Sequence, residues 1–328
     1  MATTAVVILN YNGKDYLEKF LPTVINHSTE AEIIVADNAS TDDSISFLQS
    51  HFPQIKLITL DKNHGYAGGY NEALKQVHAD YFLLLNSDVE VTENWLPPLI
   101  QFLEENDDYA ACQPKIKDYN HKSLFEYAGA CGGFIDLLGY PYCRGRIFNH
   151  LEADSGQYNE QIDIFWSSGA CMLIRSKTFI ETGGFDRDFF AHMEEIDLCW
   201  RIHSLDFKIK SIPSSTVYHV GGGTLAKGSP FKTYLNFRNG LYLLIKNLPL
   251  AKLILSLPPR IVLDWVAAFK FMIGGELAHS LAIFKAHIAV LFNLIKTIRK
   301  RTVTSSPSVL KLIVFDYFFR GKRKFDQL

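Results

Sequence analysis

Tyr81-Phe82-Leu83-Leu84-Leu85-Asn86-Ser87-Asp88-Val89-Glu90-Val91 is the stretch on which the fold turns. Its first five residues form an apolar run, too short for an independent helix and rich in residues that suit a buried strand. The run ends in Asn86, Ser87 and Asp88, and in an open α/β sheet ligands collect beyond the carboxyl ends of the strands. A carboxylate there, flanked by small polar residues, suits a hard divalent cation bridging two phosphates. Asn-Ser-Asp equally suits a turn and helix cap, so the surrounding chain decides.

Upstream, Ala5–Leu9, Glu32–Ala36 and Lys56–Leu60 are further strand-like runs, each ending in a polar or glycine-rich cluster. Between them Tyr16, Leu17, Phe20, Leu21, Val24 and Ile25 recur at helical spacing, and Ser44–Ser50 follows the polar cluster that begins at Asp37. A third helix-like segment runs from the glycine cluster through Val77. Four strand-then-helix units of about thirty residues or fewer predict an α/β fold with a doubly wound, mainly parallel sheet. Gly65, Gly68 and Gly69 read GxxGG, which matches neither the dinucleotide fingerprint nor the P-loop. Such glycines before a helix let backbone N–H groups approach a phosphate, although tight turns use glycine too.

Downstream, Cys112–Asp163 loosens into a pattern of loops and short strands laid across the site. Trp166–Arg175 is strand-like after a small-residue turn, and Ile209–Val220 reads as the last strand, carrying His219 ahead of Gly221-Gly222-Gly223-Thr224. Between them lie Glu194, Glu195 and Asp197. On a helix Glu194 and Asp197 share one side, and three carboxylates in four residues repel unless a cation or a raised pKa relieves them. An acidic first turn favoured by the helix dipole is the structural alternative.

The 328 residues suit one large or two smaller domains, and 48% apolar with 21% charged residues excludes a disordered chain. A net charge of −2 gives no reason to expect nucleic acid. Five scattered cysteines read as reduced thiols, and the N-terminus reads as a first strand rather than a signal peptide. From Leu241 onward apolar residues dominate, interrupted by Lys246, Lys252, Arg260, Asp264, Lys270, Glu276 and Lys285, so no transmembrane span is expected. Pro249, Pro258 and Pro259 should divide this region into two or three amphipathic helices. Residues 296–328 carry nine Lys or Arg and two Asp, a net +7 (9 − 2). A basic, aromatic tail beside such helices suits an anionic membrane surface; a helical subdomain packed on the core, or across a homodimer, is the alternative.

VVILNYNG, VADNASTDDS, NHGYAGGYNEAL, LLLNSDVEV, SSGACMLIR, GGFDRDFFAHMEEIDLCWR, HVGGGT and FRNGLYLL occur in this order between residue 5 and about residue 245. Together they resemble the inverting nucleotide-sugar glycosyltransferases of family 2, with the GT-A fold, and specifically the rhamnosyltransferase-like branch. The resemblance implies a transferase domain over 1–240, with a nucleotide-sugar half to about 110 and an acceptor half beyond it, and a helical basic region over 241–328. It implies that Asp37 meets the nucleotide base and that Asn10 and Asn12 line the same pocket. Asn63 with Gly65, Gly68 and Gly69 would border the diphosphate. Asp88 would hold a divalent metal (Mg²⁺ or Mn²⁺) with His219, Asn86 standing where relatives often carry an acid. Trp166, Ser168, Gly169, Ala170 and Arg238 would lie where donor sugar and acceptor meet.

Glu195 occupies the place of the family's catalytic base, usually Asp, with Glu194 and Asp197 as alternates. One base and no covalent nucleophile imply inversion at the anomeric carbon. The implied reaction moves a sugar, dTDP-L-rhamnose being the first donor choice, to a hydroxyl of a glycan or lipid-linked glycan in cell-surface polysaccharide synthesis. A UDP-hexose or UDP-galactofuranose donor is the near alternative, and a non-catalytic nucleotide-sugar or glycan-binding protein the distant one. The implied location is cytoplasmic, peripheral at the inner face of the membrane.

Overall fold

The computed structural model describes residues 2–127, 129–221, 228–302 and 311–328. In chain order its first half runs β1 (Thr4–Asn10), α1 (Lys14–His27), β2 (Glu32–Asp37), α2 (Ser44–His51), β3 (Lys56–Thr59), α3 (Gly65–Leu74), β4 (Tyr81–Asn86), β5 (Val89–Val91), α4 (Pro97–Glu105) and β6 (Tyr109–Asp118). Short strands follow: β7 (Gly133–Ile135), β8 (Pro141–Cys143), β9 (Arg146–Ile147), β10 (His150–Leu151) and β11 (Ile162–Ile164). Then come β12 (Cys171–Arg175), α5 (Ser176–Glu181), α6 (Glu194–His203) and β13 (Lys208–His219). The chain ends in helices α7 (Pro230–Asn247), α8 (Leu250–Ile273), α9 (Leu277–Phe292), α10 (Leu294–Arg299) and α11 (Ile313–Phe318).

The main sheet has nine strands in the order β11-β13-β6-β12-β4-β1-β2-β3, with β5 paired to β13. β3, β2, β1 and β4 are parallel, and β6 pairs in parallel with β13. β12 runs antiparallel between β4 and β6, so those six strands share one direction. The expected α/β, mainly parallel architecture is therefore present. Because helices cover both faces, β1 and β4 are buried along almost their whole length, which is why they read as continuous apolar runs.

Two expectations need correction. Tyr109–Asp118, whose greater part was assigned to loops and short strands, is a ten-residue strand inside the sheet. Gln113, Lys115 and Lys117 hid its pattern, and distant partners satisfy them: Lys115 and Lys117 both reach Asp154, at 3.1 and 3.0 Å. Pro258 and Pro259 do not end a helix, because α8 runs through both. They sit on its exposed side near Ile254 and Leu255, where water can serve the carbonyls that lose an N–H partner. On the opposite side of α8, Arg260 and Asp264 are buried. Arg260 Nε donates to Asp264 Oδ1 at 2.8 Å, Nη1 donates to Leu138 O at 3.0 Å, and the guanidinium lies 4.1 Å from the Tyr140 ring centre. Arg260 and Asp264 point inward, Lys252 and Lys270 are exposed, and the rest of the outward face is largely apolar. Among the described residues no helix is long and apolar enough to cross a membrane.

Candidate functional site

The carboxyl ends of β1, β2 and β4 open on one edge, and the loops after them carry the polar cluster. Asn10, the last residue of β1, donates from Nδ2 to Asp37 Oδ2 at 2.9 Å. The Ser40 backbone N–H donates to Asp37 Oδ1 at 2.8 Å, and its hydroxyl donates to Asp37 Oδ2 at 2.7 Å. Asn12 and Ser40 are joined next: the Asn12 N–H donates to Ser40 Oγ, and the Thr41 N–H to Asn12 Oδ1. Asp37 is fully buried with both oxygens engaged, and it ties the loop after β2 to the end of β1. Asn38 performs the same service for the glycine loop, donating to Asn63 Oδ1 and Gly65 O while accepting from the His64 N–H.

The glycine cluster opens α3, and close packing explains two of its glycines. Gly65 has φ +69°, and a Cβ there would lie 2.5 Å from the Phe190 ring. A Cβ at Gly69 would meet Leu9 at 2.9 Å. Both distances are too short for any side chain. The loop thereby lies against the segment that leads into α6.

β13 pairs with β5 so that His219 faces Val89, which places an imidazole beside Asp88 across 131 residues. His219 Nε2 lies 3.1 Å from Asp88 Oδ1 and 3.4 Å from Asn86 Nδ2. On its other side Nδ1 lies 3.5 Å from Glu126 Oε1. Burial disfavours a charged imidazole here, but Asp88 and then Glu126 outweigh it and hold the His219 pKa up at about 10. Gly222, Gly223 and Thr224 of the HVGGGT stretch lie outside the described residues.

Glu194 and Glu195 begin α6. Burial lifts the Glu195 carboxyl to about 7, against backbone hydrogen bonds that lower it. Burial and the neighbouring Glu195 raise Glu194 well above the ordinary carboxylate range. Oε2 of each is buried with no hydrogen-bond partner among the described residues. Tyr66 lies between this pair and the glycine loop, donating its hydroxyl to Gly169 O at 2.6 Å. Burial, Tyr70 and the two glutamates keep that phenol protonated. Asp197 faces elsewhere: it accepts from Arg201 Nε at 3.0 Å, Lys246 Nζ at 2.8 Å and Asn247 Nδ2 at 2.9 Å. Although burial opposes ionisation, Arg201 and Lys246 hold its pKa below the ordinary value. Asp197 is fully buried and ion-paired on this side of α6, away from the Glu194 and Glu195 oxygens that lack partners among the described residues.

Two more expected site residues hold neighbouring backbone, Trp166 buried and Arg238 part-buried. Trp166 is buried, donates from Nε1 to Phe134 O at 2.8 Å and stacks where Gly133 has no Cβ. Arg238 spends Nη2 on the carbonyls of Asp188 and Phe189, both at 2.9 Å. Ser168, Gly169 and Ala170 lead into β12 beside β4: the Ser168 N–H donates to Gln113 Oε1, and Ala170 O accepts the Asn86 N–H. Sequence reasoning missed Asn38, Ser40, Tyr66, Gln113, Glu126 and Asn239. Tyr66 and Asn239 stand inside quoted motifs, whereas nothing local marks Glu126.

The mainly parallel α/β sheet thus carries a polar cluster at its strand ends, an acid–imidazole pair and a pair of glutamates at the start of α6. Residues 5–182 match the profile described as Glycosyl transferase family 2, and the chain belongs to that family. It is similar to the N-acetylglucosaminyl-diphospho-decaprenol L-rhamnosyltransferase of Mycobacterium tuberculosis, 26% identical over 232 residues, 65% of this chain and 75% of that one. Rhamnosyltransferase WbbL of Escherichia coli K12 is 25% identical over 222 residues, covering 65% and 82%. In fold it is similar to the mannosyltransferase PcManGT of Pyrobaculum calidifontis, solved with GDP-Man and Mn²⁺, at TM-score 0.53 and 12% identity over 89% and 88% of the chains.

Proposed function

We propose that this chain is an inverting, metal-dependent rhamnosyltransferase that moves L-rhamnose from dTDP-L-rhamnose to a hydroxyl of an N-acetylglucosaminyl diphospholipid. The buried Glu194–Glu195 pair, one carboxyl poised near 7, is the observation that carries the reading. A general base works best with a pKa near the operating pH. Glu195 takes the proton of the acceptor hydroxyl as the new bond forms, and with no covalent nucleophile a single displacement inverts the anomeric carbon. The pocket held by Asp37, Asn10 and Ser40 receives the base and ribose, and the N-terminus of α3 faces the diphosphate. The rhamnosyl donor and lipid diphosphate acceptor are carried over from the relatives' activities. Residues 1–240 form the transferase unit in this reading, and the helices beyond them its membrane-facing part.

Among the described residues no three His, Cys, Asp or Glu side chains converge as a metal group. The donor set nevertheless fits a divalent cation completed by substrate. Asp88 Oδ1 and His219 Nε2 are 3.1 Å apart, close to the roughly 3 Å between adjacent ligands of an octahedral ion with bonds of about 2.1 Å. Such an ion, held by Asp88 and His219 with Asn86 beside them, would neutralise charge growing on the leaving diphosphate. Thermal melts with dTDP, UDP and GDP, each with and without Mn²⁺, test the site: a metal-dependent rise with dTDP supports the reading. A rise with UDP alone would move the donor to a UDP-hexose or UDP-galactofuranose, and none with any nucleotide would leave a glycan-binding protein.

The acceptor's lipid favours a membrane surface as partner. Leu255 and Ile273 of α8 and Phe292 of α9 are 76%, 71% and 86% exposed, and Trp265, Val266, Phe269 and Phe284 are also outward. A largely apolar outward face with Arg260 and Asp264 turned inward, beside exposed Lys252 and Lys270 and a strongly basic tail, suits an anionic bilayer interface. Failure of the purified chain to pellet with anionic phospholipid vesicles at low salt would remove this part of the proposal.

A further inference from the structure

We propose that Asn239, with Arg238 beside it, is a positioning residue for the Glu194–Glu195 carboxylates. The inference rests on the reading of that pair as the base. Asn239 is fully buried on α7. Its single amide nitrogen lies 2.9 Å from Phe189 O, 2.9 Å from Ala191 O and 2.7 Å from His192 O. Its Oδ1 accepts from Arg238 Nε at 2.9 Å, which turns the NH₂ group toward those carbonyls. Arg238 Nη2 donates to Asp188 O and again to Phe189 O.

Backbone carbonyls buried in a turn must find donors, and here each is accounted for. Phe190 O accepts from the Ala67 N–H of α3 at 3.2 Å, and Met193 O from the Asp197 N–H at 2.9 Å. Between those two, the side chains of Arg238 and Asn239 serve the carbonyls of Asp188, Phe189, Ala191 and His192. The turn needs such a clamp. Phe190, His192 and Met193 have φ of 65°, 68° and 72°, a left-handed region that disfavours residues with a Cβ. Such conformations persist only where surrounding contacts over-determine them. Glu194 and Glu195 are the next two residues, so the direction in which their side chains leave α6 is set by this turn. Phe190 lies against Gly65, so the same clamp also registers the carboxylates against the nucleotide loop.

A buried asparagine that only filled space would be replaceable without any effect on chemistry. A positioning residue would not. The full-length chain is compared with Asn239→Ala, Asn239→Asp and the milder Arg238→Lys, which keeps the charge and loses the fork that spans two carbonyls. Turnover is followed with dTDP-L-rhamnose and an N-acetylglucosaminyl diphospholipid, and amide exchange over residues 189–195 is measured without substrate. The expected result is kcat lower by roughly 100-fold for Asn239→Ala, as for a displaced catalytic group, with donor KM changed less than about threefold. The acid limb of the rate profile moves away from about 7, and exchange rises in 189–195 but not in β1 or β4. Arg238→Lys changes all of these less and in the same sense.

Unchanged kcat and acid limb in a variant that still melts cooperatively would overturn the proposal. Exchange rising over the whole sheet would do so too, leaving Asn239 a fold residue. Glu195→Gln and Glu194→Gln are run beside them: if both kept full activity while exchange rose only in 189–195, the clamp would stand but the base reading would fall, and the positioning role with it.

Discussion

Replacing Glu195 with Gln should make the protein more stable and less active, and the stability gain should depend on pH. The folded chain moves this carboxyl from its ordinary value of 4.5 to about 7 because burial disfavours the anion. A group that binds its proton more tightly in the folded state favours folding only while protonated. Its contribution is complete below about 4.5 and is lost as pH rises through about 7. At 1.36 kcal/mol per pH unit, a rise from 4.5 to about 7 corresponds to a loss of about 3 kcal/mol by pH 8.5. Because the residue as a whole is only half-buried, about 1.5–3 kcal/mol is the working range. Gln is neutral at every pH and escapes this loss. Melting curves of both proteins at pH 4 and pH 8.5 measure it: the variant's advantage should be near zero at pH 4 and roughly 2–4 °C at pH 8.5. Turnover should fall by about 10²–10⁴, while nucleotide binding is kept. A gap that is the same at both pH values would show that the carboxyl is not held protonated by the fold. Full turnover in the variant would show that it is not the base.

Asp88→Ala should abolish the Mn²⁺-dependent melting shift with dTDP, which at ligand 100-fold above Kd is worth about 2.7 kcal/mol; an unchanged shift would move the metal elsewhere. Asp197→Ala should cost about 3–5 kcal/mol by leaving Arg201 and Lys246 buried without their anion. Since the Asp197 pKa is depressed, that stabilisation is present above the ordinary carboxylate range and fades as pH falls below it, so the gap to wild type should narrow in acid melts. Gly65→Ala should lower both stability and nucleotide affinity, because its Cβ has no room beside Phe190 and φ is positive; calorimetric titration with dTDP and Mn²⁺ reads the affinity. Leu255→Glu with Phe292→Glu should release the chain from anionic vesicles without altering its melting curve, and retained co-sedimentation would point to another face.

How much was legible depended on whether a residue's partner lay nearby in the chain. β1 and β4 are buried on both faces and announce themselves as apolar runs, and Asp88 stands out as the first carboxylate after one. Glu194 and Glu195 are conspicuous because like charges crowd within one turn. β6 was obscured because Lys115 and Lys117 look solvent-exposed until Asp154 is folded against them. Glu126 has no local signature, and the motif around Asn239 does not reveal its role: the imidazole that one faces and the carbonyls that the other serves are set by β13 and α7 arriving from far along the chain.

The C-terminal helices show a different limit. Periodicity reveals that a helix has an apolar and a polar face, but not which of them meets the core. For an ordinary surface helix the apolar face turns inward, and Arg260 and Asp264 were accordingly read as interruptions of an exposed amphipathic segment. In the fold they pair with each other and with Leu138 and Tyr140, so the polar stripe becomes the inner one. The apolar stripe is then forced outward, and removing an apolar side chain from water stabilises by about 1.5–3 kcal/mol when burial is complete. With Leu255, Val262, Val266, Phe269 and Ile273 outward on α8 alone, partial immersion of that face exceeds what a few surface lysines add at about 1 kcal/mol each. Vesicle binding should therefore survive high salt in part, and complete loss of binding at 0.5 M NaCl would assign the attachment to the basic tail instead.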